Sequence, residues 1–294
     1  MTTNTSTKPF LRRASLTNSR WFGPHLFSFL ATGSETDGQF ALMEVRLLAG
    51  HEPLPHTHEV DDTAFYVLKG EIRHRVGTET ARAGDGDFAL LPVGVEHGFR
   101  VLSGQAHGLL LAAPAGVEQA FRALSEPASR MEPLPDPRPL DPGRCLDEFG
   151  RRGVVFRSPN TPEPATSPNP GLVTRPKSEC ARGYFGHLHT PLVTRAQTGG
   201  RFALSEIVVR RGHELPSHPP DHGNQGYYML EGDVTFHCDG RALAARPGEF
   251  VFLPRGLARG YEIQTQAARM LMLLTPPPGG AGNSPVLTCS PRDR

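Results

Sequence analysis

The sequence is poor in cysteine and lacks both long apolar runs and blocks of one charge. Its four cysteines among 294 residues are widely spaced and form no CxxC pair, which argues against a disulfide framework and favours reduced thiols in the cytoplasm. No apolar run approaches the about 20 residues that a membrane-spanning helix needs, so no membrane partner is expected. The net charge of +1 includes no basic block, so nucleic acid is not an expected partner either. The first 15 residues hold cations but no apolar segment, which predicts the absence of a secretion signal.

Glycine and proline, by contrast, are abundant. The 32 glycines and 29 prolines are typical of a protein with many short strands and tight turns. A length of 294 residues favours two domains. The segment from Ser158 to Pro170 contains five prolines and almost nothing apolar, so the boundary is predicted there, between domains at 1–158 and 159–294. Before it, helical spacing over Val117–Leu124 and a helix start at Asp141, with a stop at Gly150, predict two short helices.

The two halves of the chain repeat one another at a constant offset of 162 residues. Phe202-Ala-Leu-Ser-Glu-Ile matches Phe40-Ala-Leu-Met-Glu-Val, and the same offset joins equivalent glycines, prolines and aromatics without a gap. The pairs are Gly50 and Gly212, His56 and His218, Tyr66 and Tyr228, Gly70 and Gly232, Gly86 and Gly248, Pro92 and Pro254, and Gly94 and Gly256. The chain is therefore predicted to be a tandem duplication of one unit.

Three histidines in the first copy have the spacing of a metal site. His56 and His58 are two residues apart, so on a strand both imidazoles point to one face. His97 follows a second apolar segment, and if the two segments are neighbours, three neutral nitrogens converge. Such a set suits a divalent first-row metal and leaves positions open for substrate. Fe(II) is the expected metal, with Zn, Ni, Cu and Mn as alternatives.

The pattern Gly50-x5-His56-x-His58, then Gly70, then Gly86-x5-Pro92-x-Gly94-x2-His97 resembles the two motifs of the cupin superfamily. The stretch from Phe27 to Val45 strengthens a likeness to the bicupin, quercetinase-like branch. The resemblance implies an all-β fold, a tandem cupin of two jelly-roll barrels with short helices after the first barrel. It also implies that the first barrel holds the metal.

The second copy departs from the motif. Pro220 and Arg259 stand at the positions of His58 and His97, and only His218 is kept. Proline has no ligand atom, and arginine stays protonated and repels a cation. The second barrel is therefore expected to have a structural role in the fold, in dimerisation or as a lid.

Two alternatives for the second barrel stay open. His222, four residues after His218, could replace a missing ligand, and Arg259 could bind an anionic ligand. The role of this barrel therefore depends on side chains whose direction the sequence does not fix.

The first copy departs from the family at one position. Many cupins have a glutamate ligand seven positions before the glycine that corresponds to Gly70, and Thr63 occupies that position. The resemblance then implies three histidine ligands, with Asp62 as an alternative fourth. Thr63, Tyr66 and Glu96 are the candidate catalytic residues, and Glu59, Asp62 and Glu96 are the nearest candidate bases.

These observations lead to three hypotheses of different classes. The first, implied by the resemblance to three-histidine cupins, is a mononuclear non-haem dioxygenase that uses O2 on a small enolic, diketone or hydroxylated aromatic substrate. The second keeps the metal as a Lewis acid for isomerisation, cyclisation or lyase chemistry. The third is a non-enzymatic ligand-binding bicupin. A homodimer is the expected assembly by family likeness.

Overall fold

The computed structural model describes residues 7–137, 139–157, 173–174, 182–184, 187–214 and 223–276. The chain forms two compact units. The first unit comprises Ala14–Ser34 and Gly38–Arg175, and the second comprises Met1–Arg13, Glu35–Asp37 and Pro176–Arg294. The predicted boundary within 158–170 lies outside the described residues, so the division into 1–158 and 159–294 stays a prediction.

Antiparallel strands make up most of both units, and we number them in chain order from β1 (Phe10–Arg13), which belongs to the second unit. The strands of the first unit are β2 (Ser19–Phe22), β3 (His25–Ala31), β4 (Ala41–Leu48), β5 (His56–His58), β6 (Asp62–Lys69), β7 (Ile72–Val76), β8 (Glu79–Ala83), β9 (Phe88–Leu91), β10 (His97–Val101), β11 (Gln105–Ala113), β12 (Glu126–Pro127), β13 (Val154–Phe156) and β14 (Val173–Thr174). A 3-10 turn (Leu16–Asn18) precedes β2.

Two antiparallel sheets form the first unit. The eight-stranded sheet has the order β12-β2-β3-β4-β11-β6-β9-β14, and the five-stranded sheet has the order β13-β5-β10-β7-β8. Apolar side chains from both sheets meet in one core, as expected when each sheet buries one face. The core residues are Phe27, Phe29, Met43, Val45, Leu47, Phe65, Val67, Ile72, Ala83, Val101 and Ala106.

The two predicted helices are confirmed. They are α1 (Val117–Leu124) and α2 (Pro142–Gly150). The Asp141 carboxylate caps α2 by accepting a hydrogen bond from the backbone N–H of Arg144 at 3.1 Å. Both helices bury apolar side chains in a second cluster that includes Phe149, so their amphipathic faces explain their formation.

The aromatic and apolar segment Trp21–Leu30 is divided between two strands. The chain turns at Gly23, which has a φ of 55°, and this segment therefore becomes the two paired strands β2 and β3. A left-handed conformation at this position favours glycine over any residue with a Cβ atom.

The second unit repeats this architecture. Its further strands are β15 (Arg182–Tyr184), β16 (His187–Val193), β17 (Ala203–Arg210), β18 (Gln225–Glu231), β19 (Val234–Cys238), β20 (Arg241–Ala245), β21 (Glu249–Leu253), β22 (Arg259–Ile263) and β23 (Ala267–Leu274). A seven-stranded sheet, β1-β21-β18-β23-β17-β16-β15, and a three-stranded sheet, β20-β19-β22, enclose a common apolar core. The all-β double jelly roll is confirmed, with each unit built from two facing sheets among the described strands rather than one closed ring.

The duplication extends to single hydrogen bonds. Glu52 accepts from the backbone N–H of Val101, and Glu214 accepts from the backbone N–H of Ile263, each at 2.9 Å. The glycine that ends β6, Gly70, has a φ of 100°, and a Cβ atom there would lie 2.8 Å from the carbonyl oxygen of Gln105. The same constraints act at equivalent positions of both units, so the 162-residue repeat is a repeat of structure.

Neither of the two helices in the described part of the chain has the length and apolar character needed to cross a membrane. Cys145 and Cys238 are free thiols, and Cys180 and Cys289 lie outside the described residues.

Candidate metal centre

The structure brings the three predicted histidines together in the first unit. His56 and His58 lie on one face of β5, and His97 begins β10 as the direct cross-strand partner of His56. The ring centroids are 4.6 Å apart for His56 and His97 and 5.2 Å apart for each of the other two pairs. One nitrogen from each ring lies within 4.8 Å of the other two. Strand pairing and the two-residue period of a strand therefore create the cluster.

A tight turn holds His97 in this position. Gly94 has a φ of 75°, and its backbone N–H donates to the carbonyl oxygen of His58 at 2.8 Å. The neighbouring N–H of Val93 donates to the Asp62 carboxylate, also at 2.8 Å. The glycine of the second motif thus permits a backbone conformation that ties the loop before His97 to the strand bearing His58.

Each histidine has its Nδ1 atom already bonded. Nδ1 lies 2.9 Å from the Leu54 carbonyl oxygen in His56, 2.9 Å from the Asp61 carboxylate in His58 and 3.0 Å from the Val95 carbonyl oxygen in His97. A carbonyl oxygen only accepts, so Nδ1 is the protonated nitrogen and Nε2 keeps its lone pair. The cluster therefore presents unprotonated Nε2 atoms, which is the tautomer that binds a metal.

Burial keeps the imidazoles of His56 and His97 neutral. It lowers the pKa of His56 from its ordinary value to about 4, with a smaller contribution from the nearby His58. Burial, followed by the proximity of His56 and His58, also lowers the pKa of His97 well below its usual range. Neutral rings are the form a divalent cation requires, so the residues present fit such an ion.

Asp61 is a functional residue that the sequence reasoning missed. Its carboxylate is buried and bonds His58, whereas the other two histidines bond only backbone carbonyls. A carboxylate on the far side of a ligating imidazole fixes the ring and raises its basicity. The sequence signal was an acidic residue three positions after His58.

Asp62, the alternative fourth ligand, does not belong to this cluster. Among the described residues, the group of converging ligand atoms consists of the three histidines. Asp62 instead binds the backbone N–H of Val93, and Asn224 binds the backbone N–H of Arg255 in the same way in the second unit, again at 2.8 Å. Because the neutral amide of Asn224 accepts the equivalent hydrogen bond in the second unit, the structure favours a role for Asp62 in anchoring the loop.

Thr63 and Tyr66 lie on β6 but on opposite faces. Thr63 shares the inner face with Phe65 and Val67, which belong to the core between the sheets. Its Oγ1 atom is buried without a hydrogen-bond partner among the described residues. Tyr66 is also buried, but the regular pairing of β6 with β9 leaves no bulge that would turn it inward. The structure therefore places Thr63 in the interior and turns Tyr66 away from it.

Glu96 precedes His97, and its carboxylate is bonded to two arginines. Its Oε1 atom accepts hydrogen bonds from Arg75 at 2.6 Å and from Arg157 at 3.3 Å. These contacts hold the carboxylate in an ion-pair network. Glu59, the other candidate base, has an exposed side chain, so neither carboxylate is free within the described interior.

The segment after the two helices returns to the site, which the sequence did not predict. Strand β13 pairs with β5, so that Phe156 is opposite His56 and Val154 is opposite His58. The rings of Phe156 and His56 lie 5.4 Å apart. The segment thus covers the strand that carries two of the histidines.

The second unit differs at the equivalent position. Arg259 begins β22 and is almost fully buried, and its guanidinium donates to the carbonyl oxygens of Leu253 and Gly223 at 3.2 and 3.3 Å. His218, Pro220 and His222 lie outside the described residues, so the alternatives that involve them stay predictions.

Comparison with known proteins places this geometry in a family. The model of the cupin domain matches residues 43–113 and 205–275, once in each repeat. Quercetin 2,3-dioxygenase of Bacillus subtilis (strain 168) is 23% identical over 284 residues, which cover 91% of this chain and 82% of that protein.

Solved structures agree on the fold. Bacillus subtilis oxalate decarboxylase, in a structure from work on its Mn(II) centres, has a TM-score of 0.62 at 15% identity and covers 92% of this chain and 78% of its own. A deletion mutant of the same enzyme gives a TM-score of 0.60 at 14% identity, over 92% and 77% of the two chains. With the cupin model matched once in each of its two repeated units, the chain contains two cupin domains.

Proposed function

We propose that the chain is a metal-dependent enzyme whose His56, His58 and His97 hold one divalent cation through their Nε2 atoms. The observation that carries this proposal is the convergence of three imidazoles whose Nδ1 atoms are already committed to oxygen acceptors. Fe(II) is the proposed metal. Mn(II), Zn, Ni and Cu also accept imidazole, and Mn(II) is named with the structurally similar oxalate decarboxylase.

The proposed reaction is a dioxygenation of a small enolic, diketone or hydroxylated aromatic compound with O2. The likeness to quercetin 2,3-dioxygenase over 91% of the chain supports this class. A divalent metal held by His56, His58 and His97 would supply Lewis acidity and would leave positions open for substrate oxygens. The proposal places the enzyme in the cytoplasm, where Cys145 and Cys238 stay reduced.

The chain's own residues would orient the substrate and exclude water. Asp61 fixes the ring of His58, and the backbone carbonyls of Leu54 and Val95 fix the other two rings. Apart from Thr63 and His74, the inner face of the same unit is largely apolar, which favours aromatic or enolic substrates and keeps bulk water away from the reacting atoms. Thr63 offers its hydroxyl to a substrate oxygen from this face.

Each carboxylate near the described site that could accept a proton from the substrate is already bonded to another group. Glu96 is bonded to two arginines, Asp61 to His58, and Asp62 to a backbone N–H. The substrate is therefore expected to bind already ionised, or to lose its proton to solvent as it binds. Compounds with acidic enols or phenols fit this requirement best.

The convergence of the three histidines also favours a second candidate, a non-oxidative isomerase, cyclase or lyase. Lewis-acid chemistry at the three histidines needs no oxidant, and the fold is shared with oxalate decarboxylase. The two candidates differ in their use of O2.

The experiment is an oxygen-electrode assay of the Fe(II)-loaded protein with a panel of β-diketones and ortho-dihydroxylated aromatics, combined with product analysis. O2 consumption equal to substrate loss supports the dioxygenase. Substrate loss without O2 uptake supports the non-oxidative candidate. No conversion of any panel member by the fully loaded protein contradicts both and leaves a ligand-binding bicupin.

A further inference from the structure

His74 lies buried in the core of the first unit. It occupies the middle of β7 and is only 2% exposed. Neither of its ring nitrogens has a hydrogen-bond partner among the described residues. Its closest described aromatic neighbours are Phe65 and Phe99, whose ring centroids lie 5.9 and 6.4 Å from that of His74. A polar ring thus sits between two apolar ones.

This arrangement destabilises the fold unless something pairs with the ring. A buried polar group without a partner costs about 1–3 kcal/mol, and such groups are rare in folded proteins. Burial also lowers the pKa of His74 to about 4, so the ring is neutral and offers one donor and one acceptor. Departures from local packing rules of this kind cluster at functional sites.

The position of His74 relates it to the histidine cluster. His97 and Phe99 lie two residues apart on β10 and share a face, and His74 is the direct cross-strand partner of Phe99. Two residues along a strand span about 7 Å. His74 therefore faces the same interior as His97, one residue pair farther along the sheet.

The second unit, whose described residues include no cluster of three converging histidines, has a different side chain at this position. Phe236 is the residue 162 positions after His74, and it is fully buried. It packs between Tyr227 and Tyr261, at 4.9 and 5.7 Å between ring centroids, and these are the counterparts of Phe65 and Phe99. The fold thus accepts phenylalanine here, and histidine is present in the unit that carries the three converging imidazoles.

We propose that His74 determines substrate specificity by forming a hydrogen bond with a polar group of the substrate that is remote from its metal-binding oxygens. This inference rests on the proposed function and narrows its substrate class. The substrate has two oxygens for the metal, an apolar body, and a hydroxyl or carbonyl at its far end. Thr63 Oγ1, on the same inner face as Phe65, is a second group available to such a ligand.

The test compares the binding of benzoylacetone with that of its para-hydroxy derivative to the Fe(II)-loaded protein, by anaerobic titration calorimetry. The added hydroxyl lies one benzene ring away from the diketone. Wild type is expected to bind the para-hydroxy compound about 5-fold more tightly, the value of one ordinary hydrogen bond. In His74→Phe this preference should disappear while benzoylacetone binds within about 2-fold of wild type, because the substitution leaves the metal-binding oxygens untouched.

Equal binding of both compounds by wild type, or an equal preference in His74→Phe, overturns the role of His74 and leaves the proposed function intact. Binding of neither compound by the Fe(II)-loaded protein contradicts the proposed substrate class, and the role of His74 falls with it. Thermal unfolding separates specificity from structure. His74→Phe should melt at the same temperature as wild type or higher, whereas the reverse change in the second unit, Phe236→His, should lower the melting temperature. A lower melting temperature for His74→Phe would mean that the histidine stabilises the core.

Discussion

The Nδ1 atom of His58 lies 2.9 Å from the carboxylate of Asp61, and both side chains are buried. No other histidine of the described cluster bonds a charged group, since His56 and His97 bond backbone carbonyls. Three neutral imidazoles leave the charge of a divalent ion unbalanced, and a buried carboxylate one bond away offsets part of it. The loop after β5, which positions Asp61 beside His58, is therefore expected to affect the affinity of the site for a divalent metal.

Replacing Asp61 by asparagine should weaken metal binding by about 10–100-fold, the usual effect of removing an outer partner of a ligating histidine. The shape of the side chain is kept, but its charge is lost. Competition with a chromogenic chelator measures the affinity. Asp62→Asn is the matched control, because Asn224 makes the equivalent loop contact in the second unit. Equal losses in both variants would contradict the special role of Asp61.

Thr63→Val should leave stability and metal content unchanged. The Oγ1 atom has no partner among the described residues, so a methyl group of similar shape removes no bond. If the hydroxyl binds substrate, KM should rise by about 2–10-fold with little change in kcat. Steady-state O2 uptake and thermal unfolding measure the two effects. A fall in the melting temperature with KM unchanged would assign Thr63 a purely structural role.

Glu96→Gln should reduce stability more than activity. The substitution removes the charge that pairs with Arg75 and Arg157, and these half-buried ion pairs contribute about 1–2 kcal/mol. Turnover of the Fe(II)-loaded enzyme should stay within about 3-fold of wild type if the carboxylate is not the base. Urea unfolding and O2 uptake provide the two readouts. A loss of activity of about 100-fold at unchanged stability would identify Glu96 as a general base.

The metal-free protein should lose stability on acidification, and His74 should account for part of the loss. The unfolded chain binds a proton at this residue near pH 6.5, whereas burial lowers the pKa in the folded state to about 4. Between these values the unfolded state binds more protons, so the free energy of unfolding falls as pH falls, on the order of 3 kcal/mol in total. The contribution of neutral His74 to the free energy of unfolding is fully present above pH 6.5. It is lost as the pH drops through 4.

His74→Phe should therefore show a shallower decline in stability between pH 6.5 and 4 than wild type. His237→Phe is the control, because this histidine is exposed on the second unit. Urea unfolding of the metal-free proteins at several pH values measures the slopes. Identical slopes in wild type and His74→Phe would mean that His74 does not titrate as its burial implies.

Local pattern predicted a large part of the architecture. The helix over Val117–Leu124 has the predicted bounds, because its sequence has one clear apolar face. The repeat at a constant offset of 162 residues predicted that the second half of the chain has the same fold as the first. The convergence of His56 with His58 followed from strand periodicity alone.

What the sequence did not predict depends on contacts between distant segments. The pairing of β13 with β5 joins Phe156 to His56 across about 100 residues, and no local pattern encodes such a register. The bond from Asp61 to His58 needs the loop conformation between them, which alternation does not supply. Tyr66 was considered for the pocket, but its face is fixed by the inward direction of Phe65, which only the sheet register shows.

The measurement that tests the central claim most directly is elemental analysis of protein purified without chelator. Wild type, His58→Ala and the surface variant His237→Ala are compared under identical expression conditions. The account predicts near-stoichiometric divalent metal, chiefly iron, in wild type and His237→Ala, and its loss in His58→Ala. Two results would contradict a three-histidine metal centre. One is the absence of metal from all three proteins even after they are incubated with Fe(II), and the other is full retention of metal in His58→Ala.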